Sequence, residues 1–412
     1  MGDAWTENCR LCAAPLPTLL DAGDQPRATD YAPMPQGRAT TWPKRFGCCP
    51  RCGLAQLLCP PPAAWLAPCV DWLAFNEPES HLDALAAQLT RLTGRGCVMA
   101  GLSPKDAGLL ERLSSLDGRE SWRLTPDILG LDGARPMHIA LVQESLSVTS
   151  PKNLPPVRLL VARHILEHVH DLLRFLYTAR KLIREDGWLF VEVPACEAEL
   201  QSCDYARLWE EHTQYFTDVS LSNTLMMGGF SPLWTQRTRT GQEELLLVLA
   251  RKTDPATVPL ASAEDTAREC SRARFFADRY AAIARRIRSR VNACKGSGSV
   301  ALLGVGHLGV TFTHLMGLAG HIGKLWDDHP RKQGHYVAGL TPCIAPSAAL
   351  DDSDTTLCLL AVPPEAEDRI LQQHSAFIQR GGIFASVFPQ SRLYIGHDAF
   401  IVHKAPLATS NR

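Results

Sequence analysis

The chain has 412 residues, with 42 Lys and Arg against 43 Asp and Glu, 45% hydrophobic and 21% charged. At roughly 150 residues per domain it should hold two or three domains, and the balanced charge argues against a general nucleic-acid binder or an acid-seeking surface protein. The composition excludes a disordered or collagen-like chain, and no apolar run approaches the ~20 residues that span a bilayer.

The opening MGDAWTENCR carries neither a basic nor an apolar leader stretch, so the expected location is cytoplasmic. Its Met-Gly-x-x-x-Thr start formally fits a myristoylation pattern, a short one that carries little weight. In a reducing compartment the 14 cysteines read as metal ligands where paired and as small buried apolar residues where scattered.

Residues 1–75 are rich in Cys, Pro and Trp and show no long periodic segment, which predicts a small loop-rich module that needs a staple. Cys9-Arg-Leu-Cys12 and Cys49-Pro-Arg-Cys52 are two CxxC knuckles with 36 residues between them. A two-residue gap lets both thiolates of a turn face one ion, and two such turns close a tetrahedron with no open position, so the expected ion is a structural Zn2+. Cys48 adjoins the second knuckle and offers an alternative register.

Residues 76–255 alternate helical stretches with the apolar runs GCVMAGL, RLLVARHI, GWLFVEV and ELLLVLARK. That alternation predicts an α/β domain with a largely parallel sheet. Residues 256–412 open with an arginine-rich helical stretch, Ala263–Cys294, read as a solvated linker helix. KGSGS then leads into a second α/β unit, which begins SVALLGVGHLGV and runs to about Phe388. The expected fold class is therefore α/β: two tandem Rossmann-like, doubly wound domains preceded by a small zinc-binding module. Gly304-Val305-Gly306-His307-Leu308-Gly309, with Asp327 eighteen residues further on, is a dinucleotide-fold fingerprint in its proper strand–helix context.

ARHILEHVHDLLRFL (Ala162–Leu176) followed by GWLFVEVP (Gly187–Pro194) resembles the region after the fourth strand of S-adenosylmethionine-dependent methyltransferases. With the four-cysteine module ending CGLAQL (Cys52–Leu57), and with Glu210-Glu211-His212-Thr213-Gln214-Tyr215-Phe216-Thr217, the chain resembles the sugar C-methyltransferase family. These are three-domain enzymes that methylate a carbon next to a keto group on nucleotide-linked deoxysugars. Forming such a carbon nucleophile requires a positioned base and a donor for the enolate oxygen. The resemblance implies His212 as that base with Glu211 in support. The family's Tyr three residues before the His falls on Trp209, whose indole donates a hydrogen bond but exchanges no proton; Tyr205 and Tyr215 are the candidate substitutes. His164, counted with the cofactor-binding residues, and His168 belong to the domain signature as structural or pocket-lining residues.

The cofactor loop departs from the family pattern. Gly101-Leu102-Ser103-Pro104-Lys105-Asp106-Ala107-Gly108 has Ser103 and Ala107 where the family has glycines and Gly101 where it has an acid. Pro104 restricts the turn further. A shifted register would use Gly101 and Gly108, and the candidate cofactor-binding residues of this region are Gly101, Ser103, Asp106, Gly108 and Asp127. The ribose-binding acid falls on Thr125, with Asp127 two residues on. Both changes together predict weak or absent S-adenosylmethionine binding.

In the C-terminal domain, Asp327-Asp328-His329-Pro330-Arg331-Lys332-Gln333-Gly334 and Gly339 resemble the family's substrate-side module. Gly304, Gly306, Gly309, Asp327 and Lys332 are its candidate binding residues, for a nucleotide or phosphate group ahead of NAD. Leu308 replaces a family Lys, and Lys332 is expected to pair with a surface acid.

Three readings follow. The first is an S-adenosylmethionine-dependent C-methyltransferase acting alpha to a carbonyl on a nucleotide-linked keto-sugar or related intermediate. The second is a methyltransferase-fold protein without the cofactor, performing proton-abstraction chemistry (isomerase, lyase or cyclase) at the Glu-His site. The third is a non-catalytic scaffold. The expected partner is a small-molecule substrate, nucleotide-linked or carrier-bound, with no nucleic acid and no membrane.

Overall fold

The computed structural model describes residues 7–35, 37, 39–73, 79–118, 120–125, 128, 138–148, 154–241, 243–254, 261–296 and 298–397. They group into two compact units: residues 1–21, 44–198 and 210–275 in the first, and 22–43, 199–209 and 276–412 in the second. No described helix is long and apolar enough to cross a membrane.

The first unit is built on a six-stranded sheet in the spatial order Phe230–Thr240, Glu243–Lys252, Ile183–Pro194, Val157–Arg163, Met99–Gly101, Ser121–Arg123. The last four strands are mutually parallel, and Glu243–Lys252 runs antiparallel to both of its neighbours. Side chains alternate between the faces of a strand, and here both faces are covered. Leu159, Val161, Phe190 and Leu247 pack on one side with the helices Leu82–Thr93 and Ala107–Asp117. Leu160, Ala162, Val191 and Val248 pack on the other with Leu172–Leu182 and Asp218–Met227. A strand buried on both faces reads as a continuous apolar run, which is why four runs are visible in the sequence.

Helix Leu172–Leu182 illustrates the local logic. Asp171 caps it by accepting the Arg174 N–H at 3.1 Å, worth about 1 kcal/mol. Leu172, Phe175, Leu176, Ala179 and Leu182 then fall on one buried stripe.

The cysteine-rich segment is less loop-like than its composition predicts. Thr18–Pro26, Thr41–Cys48, Ala55–Leu58 and Gln214–Tyr215 form a four-stranded sheet, with the last three in adjacent positions. Thr41–Cys48 mixes Trp, Pro, Lys and Gly, so it lacks the clean apolar alternation that marks a strand.

The second unit carries a five-stranded, all-parallel sheet ordered Ile344–Ala345, Ile322–Trp326, Ser299–Leu303, Thr355–Leu360, Ile383–Ser386. Its order reverses beside Ser299–Leu303, and in open parallel sheets the ligand crevice lies at the carboxyl end of such a reversal. The stretch expected as a solvated linker helix is a helix, Ala263–Lys295, but Ala273, Phe276, Ile287 and Val291 on it are buried.

Candidate active site and metal centre

Strand Val157–Arg163 ends abruptly at His164, a non-glycine residue in the left-handed region at φ 47°. That conformation is disfavoured, and Glu192 holds it: its carbonyl accepts the His164 N–H at 2.9 Å and its carboxylate meets His164 Nε2 at 3.0 Å. The Glu192 carboxylate also takes a bidentate pair from Arg163 at 2.9 and 2.8 Å and a contact from His81 at 3.2 Å. Burial alone would raise its pKa, but these partners hold it well below the usual carboxylate range.

The sharp turn throws the chain into the short helical segment Leu166–His168. The Glu167 carbonyl accepts the Thr213 N–H at 2.8 Å, and Thr213 Oγ1 donates to the Val169 carbonyl at 3.2 Å. These bonds set the Glu211–His212 segment against Glu167–His168. The His212 ring packs edge-on against His168, centroids 4.9 Å apart at 87°. Burial first, then the neighbouring His212 and His138, push the His168 pKa well below that of a free histidine, so at neutral pH it is a neutral imidazole. Glu211 is buried, with Oε2 3.4 Å from His138 Nε2. Glu210 is tied to Lys44 in a buried 2.8 Å pair.

The first unit thus brings together His212, Glu211, His168, Glu167 and His138. His168, read as structural or pocket-lining, packs directly against the His212 ring. Glu167 and His138 escaped the sequence reading, and His138, in PMHIA, belongs to no recognisable motif. Tyr215 is a strand residue paired with Ala55, its ring against Phe46 at 5.6 Å. Tyr205 donates its hydroxyl to the Phe276 carbonyl at 2.7 Å. Tyr205 and Trp209 belong to the second unit, where the Trp209 indole packs on His307 with centroids 4.2 Å apart.

The loop after Met99–Gly101 is closed by its own side chains. Ser103 Oγ accepts the Lys105 N–H, and Asp106 accepts the Ser103 N–H at 2.8 Å and the Arg163 N–H at 2.8 Å. Asp106 is fully buried, and burial lifts its carboxyl pKa to about 7 against those bonds. The two glycines of the shifted register face protein. A Cβ on Gly101 would lie 2.7 Å from Asp106 Cβ and 2.9 Å from Leu110, and one on Gly108 would strike the Glu79 carboxylate. These residues do not form the open glycine cradle that the methionine end of S-adenosylmethionine needs. Thr125 is exposed, and Asp127 lies outside the described residues.

The four knuckle cysteines converge, each offering a sulfur within 4.8 Å of the others. Cys9–Cys52 and Cys12–Cys49 stand at 3.6 and 3.4 Å, near the ~3.8 Å edge of a tetrahedron with 2.3 Å metal–sulfur bonds. The Leu11 and Arg51 N–H groups and the Gln56 amide donate to these sulfurs, as an anionic thiolate set requires. The residues fit a closed tetrahedral ion. Cys48 stands outside the set, 3.4 Å from Cys270. Arg10, inside the first knuckle, donates to the Leu57 and Thr213 carbonyls.

In the second unit Gly304 adopts φ 92°, and a Cβ on Gly309 would lie 2.6 Å from Ala361. Gly306 faces nothing within 4 Å among the described residues. Asp327 accepts the Val305 N–H at 2.9 Å, the His329 N–H at 2.9 Å and Lys332 Nζ at 2.8 Å. The partner of Lys332 is therefore this largely buried loop acid rather than one on the surface.

Comparison with known proteins places a methyltransferase domain at residues 94–233 and a C-methyltransferase C-terminal domain at residues 248–389. No curated protein matches the chain. Among solved structures, it is similar to a 1,6-didemethyltoxoflavin-N1-methyltransferase from Burkholderia thailandensis, at 18% identity over 43% of this chain and 80% of that one (TM-score 0.31). It is also similar to an N-methyltransferase from Bradyrhizobium japonicum, at 12% identity over 43% and 97% (TM-score 0.30). Human N-acetylserotonin methyltransferase gives 16% identity over 42% and 52% (TM-score 0.31).

Proposed function

From the premise that this chain belongs to the C-methyltransferase family, we propose that it removes a proton from a carbon alpha to a carbonyl of a small-molecule substrate. That step is the enolate-forming half of a carbon methylation. The substrate class is a nucleotide-linked keto-sugar or a related biosynthetic intermediate. The observation that carries the reading is the packing of His212 on a neutral His168 beside the buried Glu211. His212 takes the proton, Glu211 supports the imidazolium that forms, and His168 orients the ring. S-adenosylmethionine supplies the methyl group in this family, and within the second unit the Gly304–Gly309 loop is the candidate for binding a nucleotide or phosphate group. The four cysteines hold a structural Zn2+.

The closed loop at Gly101–Gly108 supports a second reading, proton chemistry at the same site without S-adenosylmethionine. One experiment addresses both. Hydrogen–deuterium exchange at the alpha carbon of a nucleoside-diphosphate-linked 4-keto-6-deoxyhexose is followed by NMR in D2O, alongside calorimetric titration with S-adenosylmethionine and S-adenosylhomocysteine. Exchange should drop roughly 100-fold in His212→Ala; unchanged exchange in that variant removes the catalytic assignment. Micromolar cofactor binding returns the case to methyl transfer, and no heat at millimolar cofactor leaves the second reading.

A further inference from the structure

Beside the base, the first unit holds a buried carboxylate, Glu167, that no step above uses. Glu167 is 2% exposed, and among the described residues neither of its carboxylate oxygens accepts a hydrogen bond. Its ion-pair contact is His164 Nδ1 at 3.5 Å, charged only if that ring is protonated, and His164 already serves Glu192 through its other nitrogen. A buried carboxylate without donors is costly unless a cation meets it. One ligand atom from each of Glu167, His168 and His212 lies within 4.8 Å of the others. Two imidazoles and one carboxylate form the set that divalent first-row ions take while keeping open positions.

Backbone bonds hold the spacing. Glu167 and His168 share one helical turn, fixed by the His168 N–H on the Ile165 carbonyl at 3.0 Å. His212 arrives from the segment whose next residue, Thr213, donates its N–H to the Glu167 carbonyl at 2.8 Å. A site whose ligands are placed by main-chain hydrogen bonds exists before its ion arrives.

We propose that Glu167, His168 and His212 bind a divalent first-row transition-metal ion, at a site separate from the four cysteines. Its catalytic use, though not the binding, rests on the carbon-acid reading above. With the ion bound, His212 is a ligand and the proton passes to Glu211. The His138 Nδ1 atom lies 3.3 Å from the Ala140 N–H and accepts it, which leaves Nε2–H to orient the Glu211 carboxylate. The substrate C–H bond breaks and its electron pair forms the enolate C=C. The carbonyl π pair moves to oxygen, which the ion stabilises at an open position. Nothing is oxidised or reduced. In the metal-free protein His212 keeps the role given above.

The test uses the full chain, stripped with a chelator, reloaded with Zn2+ or Co2+ and desalted before the metal is counted. The wild type should hold two ions per chain, and Glu167→Gln and His168→Gln one each. Cobalt separates the sites: the cysteine set gives strong sulfur-to-metal charge-transfer bands, which both variants should retain as evidence that they fold. One ion in the wild type with the sulfur spectrum alone, or two ions in both variants, overturns the proposal. Glu211→Gln should slow deuterium exchange roughly 100-fold in the two-ion protein. If the wild type holds one ion with the sulfur spectrum alone while exchange still falls with His212→Ala, the metal site fails and the carbon-acid reading stands. Two ions without exchange in any form uphold the metal site and remove the carbon-acid reading.

Discussion

Two loops in this protein occupy the same topological place, each leaving the carboxyl end of a parallel strand and entering a helix, and they are filled in opposite ways. Gly304–Gly309 uses its glycines as glycines: one in a positive-φ turn, one packed against Ala361, one facing open space. Ser103–Ala107 uses side chains, with Ser103 and Asp106 bonding reciprocally across a turn that begins at Pro104. In the first, Gly306 has room where a side chain would stand, and the Val305 N–H is taken by Asp327. In the second the N–H groups of Ser103, Lys105 and Arg163 already have side-chain acceptors. The lesson is that the positions where the family resemblance leads one to expect glycines do not lie in a slack loop. A self-satisfied structure stands in their place, and cofactor binding there would have to compete with it.

The comparison breaks most readily at Asp106. Asp106→Ala leaves the buried N–H groups of Ser103 and Arg163 without acceptors, each worth roughly 1–3 kcal/mol. Urea unfolding at pH 5 should show a loss of about 3 kcal/mol. A loss below about 0.5 kcal/mol would mean that the loop does not depend on its acid.

The other loop is sharpened by a pair of glycine substitutions. Gly309→Ala forces a Cβ to within 2.6 Å of Ala361 Cβ and 2.8 Å of the Gly304 carbonyl and should cost about 2 kcal/mol. Gly306→Ala has φ −103° and room around it, so its midpoint should stay within about 0.5 kcal/mol of wild type. Equal effects at the two positions would erase the distinction drawn between packing and open glycines.

The smallest effect is in pH. The folded Asp106 carboxyl titrates at about 7 against about 4 when unfolded, so the folded state is the one that favours the proton. The stability tied to this group is fully present below about pH 4 and is lost as pH rises through about 7. Between pH 5 and 7.5 the wild type should lose on the order of 1–2 kcal/mol that Asp106→Asn does not lose. Parallel pH profiles for the two proteins would show that burial does not raise this carboxyl.

Local pattern made much of this legible. Runs such as RLLVARHI and ELLLVLARK are strands because both sheet faces are covered, and CxxC spacing alone names the four sulfurs that converge. What stayed hidden is long-range. Nothing local in residues 22–43 or 199–209 signals that they join the unit built by the C-terminal sheet. No motif marks His138, which reaches Glu211 from seventy-odd residues away. Asp106 could be read from sequence as a cofactor contact; only the fold reveals that its oxygens point at the N–H groups of Ser103 and Arg163.

One feature of the fold bears on how the chain can be divided. The Thr213 carbonyl accepts from Arg10 of the first knuckle and from the Leu57 N–H, and Tyr215 pairs with Ala55. The residues just past His212 are thus the edge strand of the cysteine-rich sheet. Conventional truncation at the start of the methyltransferase homology, near residue 94, would leave a fragment that keeps its six-stranded sheet and loses the neighbour on which His212 is mounted. Expression trimming, domain grafting and chimera design on this scaffold have to begin upstream of Cys9.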